Sequence, residues 1–179
     1  DAGKYAESLP PYESAAKSTD AALRGDALYG ACFALHQLGR YGESTARATT
    51  LMQELPQHRL VPQATFALGE NAFAERQYEK AQQHYAEAMQ AVARRFVLSP
   101  NVLGYEAMNE PWPGADWNPC VTGCADFEHR LLGPFDARMT RAVRAVDPVH
   151  PVFVEPFQLF NVGQAQTSLP GAGTGEVLA

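Results

Sequence analysis

Positive charge is scarce in this chain. It has 14 Lys and Arg against 20 Asp and Glu, a formal charge of -6, and both halves share the deficit: residues 1–90 carry 8 basic and 11 acidic groups, residues 91–179 carry 6 and 9. Nucleic acid and anionic membrane surfaces are therefore excluded as expected partners. Cysteine is equally sparse, and three residues cannot build a disulfide scaffold. Cys120 and Cys124 lie close together in a Pro/Gly-rich stretch and can pair in an oxidising compartment, whereas Cys32 sits among apolar neighbours as a small core filler. No apolar run approaches the roughly 18 residues of a spanning helix, so no transmembrane segment is expected. The opening Asp-Ala-Gly-Lys-Tyr lacks the form of a signal peptide. A phosphate loop, a dinucleotide fingerprint and a zinc-type histidine motif are all missing, so neither a cofactor nor a metal is expected. His36 and His84 read as ordinary helix residues.

What is present divides in two. Proline rises from 4 in residues 1–90 to 9 in residues 91–179, while alanine falls from 18 to 11. The first half reads as helices and the second as mixed structure. Within the first half a segment recurs: Gly3-Lys4-Tyr5-Ala6-Glu7-Ser8, Gly39-Arg40-Tyr41-Gly42-Glu43-Ser44 and Arg76-Gln77-Tyr78-Glu79-Lys80-Ala81, with the tyrosines 36 and 37 apart. After the third tyrosine, Ala81, Tyr85, Ala88 and Val92 follow in helical steps and form one apolar stripe.

This half resembles the tetratricopeptide repeat. Gly69 stands at the small position where helices cross closely, Ala81 and Ala88 occupy the next two, and Pro56 closes the middle repeat. Ser8 and Ser44 depart from the usual alanine, and Ala48 from the usual aromatic. Residues 1–17 supply only the second helix of a repeat. The resemblance implies a concave groove for a peptide or protein partner, lined by Tyr29, Phe33, His36 and Gln37 from one repeat and Phe66, Glu70 and Phe73 from the next. For the aromatics, plain core packing is the competing reading.

From Val97 the texture changes. The run Val102-Leu103-Gly104-Tyr105-Glu106-Ala107-Met108 leads into Asn109-Glu110-Pro111-Trp112-Pro113-Gly114 and reads as a buried parallel strand that delivers Asn109 and Glu110 to its C-terminal end. Barrels of alternating strands and helices put their catalysts there. Glycoside cleavage needs a carboxylic acid to protonate the leaving oxygen, and an adjacent amide can hydrogen-bond a sugar hydroxyl. The pattern continues through Trp117, Cys120, Cys124, Pro134-Phe135, Arg144-Ala145-Val146-Asp147 and Val152-Phe153-Val154-Glu155-Pro156. Residues 92–179 thereby resemble the endoglycoceramidase-related branch of family 5 glycoside hydrolases. That resemblance makes Glu110 the acid/base of a retaining reaction and Asn109 its sugar-hydroxyl contact. It leaves Glu155 as a group of the substrate cleft or one supporting it from behind, with a structural salt bridge as the competing reading; Trp112, Trp117 and Phe157 are candidates to stack on a sugar or line a lipid channel, with ordinary loop packing as the alternative.

Between the two strands Phe127, Leu131, Phe135, Met139, Ala142 and Val146 step by three and four, predicting one buried helical face interrupted at Gly133-Pro134. A second strand is expected over 150–156 and a third from Gly175 to Leu178.

The expected organisation is therefore mixed: all-α repeat-like hairpins over 1–91, then a partial (β/α) barrel segment over 92–179. A complete barrel takes about 250 residues, and the family's nucleophile follows the seventh strand, whereas Glu155 follows what reads as the fifth. The expected function is a retaining glycosidase segment acting on glycolipid or β-linked oligosaccharide. The alternatives are an interaction module with an inert barrel remnant and an aberrant fusion without a function of its own. The resemblance points to a secreted or cell-envelope origin.

Overall fold

The computed structural model describes residues 2–114, 117–158, 163 and 167–169. It is mostly helical with one two-stranded parallel sheet, and it divides into two compact units, Asp1–Ala91 and Val92–Ala179.

The first unit holds α1 (Ala2–Ala15), α2 (Ala21–Gln37), α3 (Tyr41–Glu54), α4 (Val61–Ala74) and most of α5 (Tyr78–Phe96). Consecutive helices from α1 to α4 pack on one another, and α2 also meets α4. Helix α2 starts at Asp20, whose side chain accepts the backbone N–H groups of Ala22 and Leu23, donors that would otherwise be orphaned. It ends at Gly39, where φ is 72° and the Arg40 N–H reaches back to the Leu35 carbonyl. Helix α4 ends the same way 37 residues later, with Arg76 at φ 61° and the Gln77 N–H on the Ala72 carbonyl. Matching stops place Tyr41 and Tyr78 at the starts of α3 and α5, so the second and third copies of the recurring segment share one cap geometry, while Tyr5 lies inside α1.

The core of this unit joins Leu28 and Cys32 of α2, Ala48 and Leu51 of α3, and Ala64 and Leu68 of α4. Small residues let the axes approach closely. Gly69 is one such point, because a Cβ there would meet the Tyr85 ring at 2.6 Å. Buried Ser44 donates to the Cys32 carbonyl and accepts from the Asn71 amide, while Asn71 also bonds His36, so polar groups inside the helical stack are satisfied.

In the second unit β1 (Tyr105–Glu106) pairs in parallel with β2 (Val152–Phe153), Tyr105 opposite Val152 and Glu106 opposite Phe153. A Cβ on Gly104 would lie 2.5 Å from the Pro151 carbonyl oxygen, so glycine is what lets the strands meet. Strands were expected over 102–108 and 150–156, and the ladder is shorter than that: it runs from the Tyr105 N–H on the Pro151 carbonyl to the Ala107 N–H on the Phe153 carbonyl. Proline explains part of the shortening, since Pro111, Pro151 and Pro156 have no N–H to donate. The expected strand at 175–178 lies outside the described residues.

The connection contains α6 (Trp117–Cys120), α7 (Ala125–Phe127), a π-helical segment (Glu128–Leu132) and α8 (Gly133–Arg144). The expected interruption at Gly133-Pro134 takes the form of this wider turn, in which the Gly133 N–H bonds the Glu128 carbonyl five residues back. The extra residue corrects the expected apolar stripe. Leu131 is exposed, and Glu128, Leu132, Asp136, Met139 and Val143 form the buried face, so that each expected position except Met139 gives way to the residue after it, with Phe127 and Phe135 half-buried. Glu128 tolerates burial because it accepts hydrogen bonds from the Thr167 hydroxyl and from the backbone and side chain of Ser168.

Candidate active site around Glu110

The base of the site is a buried polar hub. Asp147, fully buried, accepts hydrogen bonds from the Tyr105 hydroxyl at 2.7 Å, from His150 Nδ1 at 2.6 Å, and from the backbone N–H groups of Val149 and His150 at 3.0 Å each. Burial pushes its carboxyl up, but these donors together outweigh burial and hold it well below the usual carboxylate range. The Tyr105 hydroxyl is pushed up to about 12, first by burial and then by its bond to Asp147. Through Tyr105 the hub fixes β1; through His150, whose Nε2 meets the Ser99 carbonyl at 3.2 Å, it fixes the approach to β2.

Alternation along β1 turns Tyr105 inward and Glu106 outward. Four residues on stands Glu110, exposed and in the left-handed region at φ 46°, with exposed Asn109 beside it. The Glu110 N–H donates to Glu155 Oε2 at 2.9 Å. Glu155 lies two residues beyond β2, on the side of the sheet that carries Phe153 and Glu106. The Glu106 carboxyl hydrogen-bonds Glu155, and this bond, then burial, then the Glu155 charge push it up. One residue after Glu110, the Pro111 carbonyl accepts the Gln158 N–H at 3.1 Å. The loop after β1 is thus tied twice to the segment after β2.

Below the loop, Phe157 is fully buried and packs with Cys120, Cys124 and Phe127. The expectation that Phe157 stacks on a sugar is therefore corrected, since its ring is the centre of a small core. Cys120 and Cys124 are joined by a disulfide with their Cα atoms 4.3 Å apart. Trp112 is 53% exposed. Trp117 opens α6, and its side chain lies outside the described residues.

The groove candidates of the first unit are placed separately. Phe33, Phe66 and Phe73 are all exposed, and each has an aromatic neighbour: Tyr5, Tyr85 and Tyr78 respectively. Tyr29 is half-buried against the core. Glu70 accepts from the Tyr85 hydroxyl at 2.6 Å, and His36 Nδ1 lies 2.7 Å from Asn71 Oδ1. These last contacts tie α4 to α5 and α2 to α4.

Glu106 was missed from the sequence. Its signal was the alternation in Tyr105-Glu106 together with a second carboxylate, Glu155, just past the end of the partner strand. Among the described residues no group of three His, Cys, Asp or Glu could hold a metal ion, and no helix is long and apolar enough to cross a membrane.

Comparison with known proteins agrees with the motif. Endoglycoceramidase I of Rhodococcus hoagii (strain 103S) is 39% identical to this chain over 79 residues, a stretch that is 44% of the chain and 16% of that protein. The profile described as Cellulase (glycosyl hydrolase family 5) matches residues 63–174, reaching back into α4. With most of its length inside that match, the chain belongs to the cellulase family, glycosyl hydrolase family 5.

Proposed function

We propose that this chain carries the acid/base portion of a retaining glycoside hydrolase that cleaves the β-linked sugar of a glycolipid or oligosaccharide. The observation that carries the reading is an exposed Glu110 presented just beyond a parallel strand, inside the Asn-Glu-Pro-Trp-Pro-Gly motif and the family match. In this reading Glu110 protonates the leaving oxygen, Asn109 bonds a sugar hydroxyl, and Trp112 and Trp117 offer stacking faces. A glycoceramide substrate is favoured by the likeness to the Rhodococcus enzyme. The chain spans about a sixth of that protein, so the whole reaction is part of the proposal.

Retention also needs a nucleophile about 5 Å from the acid/base. Glu106 and Glu155 bond each other, and Glu155 also bonds the Glu110 backbone, so neither is poised for attack. The purified chain is therefore expected to hydrolyse neither aryl glycosides nor glycosphingolipids, matching its Glu110→Gln variant. Turnover in the parent that vanishes in the variant would instead implicate Glu155, or a carboxylate from a second chain, as the missing partner.

The positive test replaces the matched stretch of the Rhodococcus enzyme by its counterpart from this chain. A folded chimera should cleave glycoceramide, and Glu110→Gln should lower its rate about 100- to 10,000-fold. An unchanged rate removes Glu110 from the mechanism.

A second reading rests on the first unit. Helices α1 to α5 are taken as tetratricopeptide-like hairpins, and exposed Phe33, Phe66 and Phe73 on α2 and α4 as anchors for a peptide or protein partner. Enrichment of a partner from a peptide library that is lost on Phe33→Ser and Phe66→Ser, with helicity intact, is its test.

A further inference from the structure

A glutamate in the left-handed region is uncommon, and such a conformation persists only where surrounding contacts over-determine it. Glu110 has φ 46° and precedes Pro111, which further restricts its backbone. Its N–H points to one acceptor, Glu155 Oε2 at 2.9 Å. The Gln158 N–H on the Pro111 carbonyl holds the chain one residue further on, and fully buried Pro111 and Phe157 anchor both sides of the contact.

We propose that Glu155 is a positioning residue, its carboxylate clamping the Glu110 backbone in the left-handed conformation. The inference rests on Glu110 being the acid/base, and it assigns Glu155 a main-chain contact in place of a sugar contact. The titratable groups at the clamp are Glu106 on β1, Glu110 in the loop after it and Glu155 after β2.

The test is amide hydrogen exchange, read by NMR on the full ¹⁵N-labelled chain. In the parent the Glu110 amide should be protected despite its exposed side chain. Glu155→Leu removes the acceptor and should speed Glu110 exchange about tenfold or more, while the ladder amides of Tyr105 and Ala107 stay protected. Glu155→Gln keeps a carbonyl acceptor and should restore most of the protection, which a purely structural volume effect would not do. Equal exchange in parent and Glu155→Leu, or a Gln variant no better than Leu, overturns the clamp.

Should Leu loosen the sheet, Glu155→Met provides a second measurement. It keeps the side-chain length without the acceptor, and a residue-110 amide as protected as in the parent rejects the clamp. The two ideas fail separately. A rate insensitive to Glu110→Gln in the chimera sinks the catalytic reading, whereas unchanged exchange beside a lost rate sinks the clamp alone.

Discussion

The two units of this chain are held together by different forces. In residues 2–91 four long helices and most of a fifth bury alanine, leucine and one cysteine against each other, and their few buried polar groups sit inside that packing. In the unit from Val92 the apolar clusters are small, the sheet is two residues long on each side, and the elements are tied by carboxylates: buried Asp147 under β1, buried Glu128 under the 167–169 segment, and half-buried Glu155 on the Glu110 N–H. Apolar packing is non-directional and tolerant of small shifts, whereas hydrogen-bonded carboxylates fix particular atoms. Such fixing holds the loop after β1 in one conformation, at the cost of sensitivity to acid and to single polar substitutions.

The largest expected effect breaks the polar unit. Asp147→Ala removes the acceptor of the Tyr105 hydroxyl, the His150 ring and two backbone N–H groups, and should destabilise residues 92–158 by about 3–5 kcal/mol. Both tryptophans, Trp112 and Trp117, belong to this unit, so their fluorescence follows its unfolding while far-UV circular dichroism is dominated by the helices. The variant should move the fluorescence transition in urea and leave the main dichroism transition in place. The acid branch follows from the same hub. Asp147 is held below its unfolded value, so its contribution is complete above about pH 4 and is lost as pH falls from there toward its depressed folded value. Fluorescence should therefore report acid unfolding before dichroism does.

Leu51→Ala is the converse. Leu51 is fully buried in the core between α2, α3 and α4, and its truncation should cost about 2–5 kcal/mol in the dichroism transition alone. A matching shift in fluorescence would mean that the two units unfold as one, and the contrast drawn above would be wrong.

Asp136 on α8 sharpens the comparison with the opposite sign. It is buried, its Oδ2 has no hydrogen-bond partner among the described residues, and burial pushes its carboxyl up to about 7. Ionisation opposes folding here, so the cost is absent near pH 4 and grows as pH rises through 7. Asp136→Asn should stabilise the second unit by about 1–2 kcal/mol at pH 8 and have little effect at pH 4. Smallest is Arg76→Gly, which places glycine where the preceding repeat already has Gly39; relief of the left-handed backbone should stabilise the first unit by about 0.5–1 kcal/mol, read by dichroism.

Much of this was legible before the structure. Helical spacing located the long helices, and the apolar run before Asn109-Glu110-Pro111 marked a parallel strand with Glu110 just beyond it. Both signals are local: caps, φ preferences and short-range periodicity are written into neighbouring residues. The errors have a common origin in contacts between distant residues. The stripe through Leu131 was displaced because the π-helical turn before Pro134 adds one residue, and buried Glu128 is tolerated only because Thr167 and Ser168 reach it across some 40 positions. Phe157 is core because the chain folds it onto the Cys120–Cys124 disulfide.

The sequence by itself determined the helices, their repeat period and the identity of the carboxylate presented after β1, since each depends on residues a few positions apart. Only the tertiary structure decided the left-handed backbone of Glu110 and the pairing of Glu155 with both that backbone and Glu106, because a hydrogen bond between residues 45 apart exists only once β1 and β2 lie side by side.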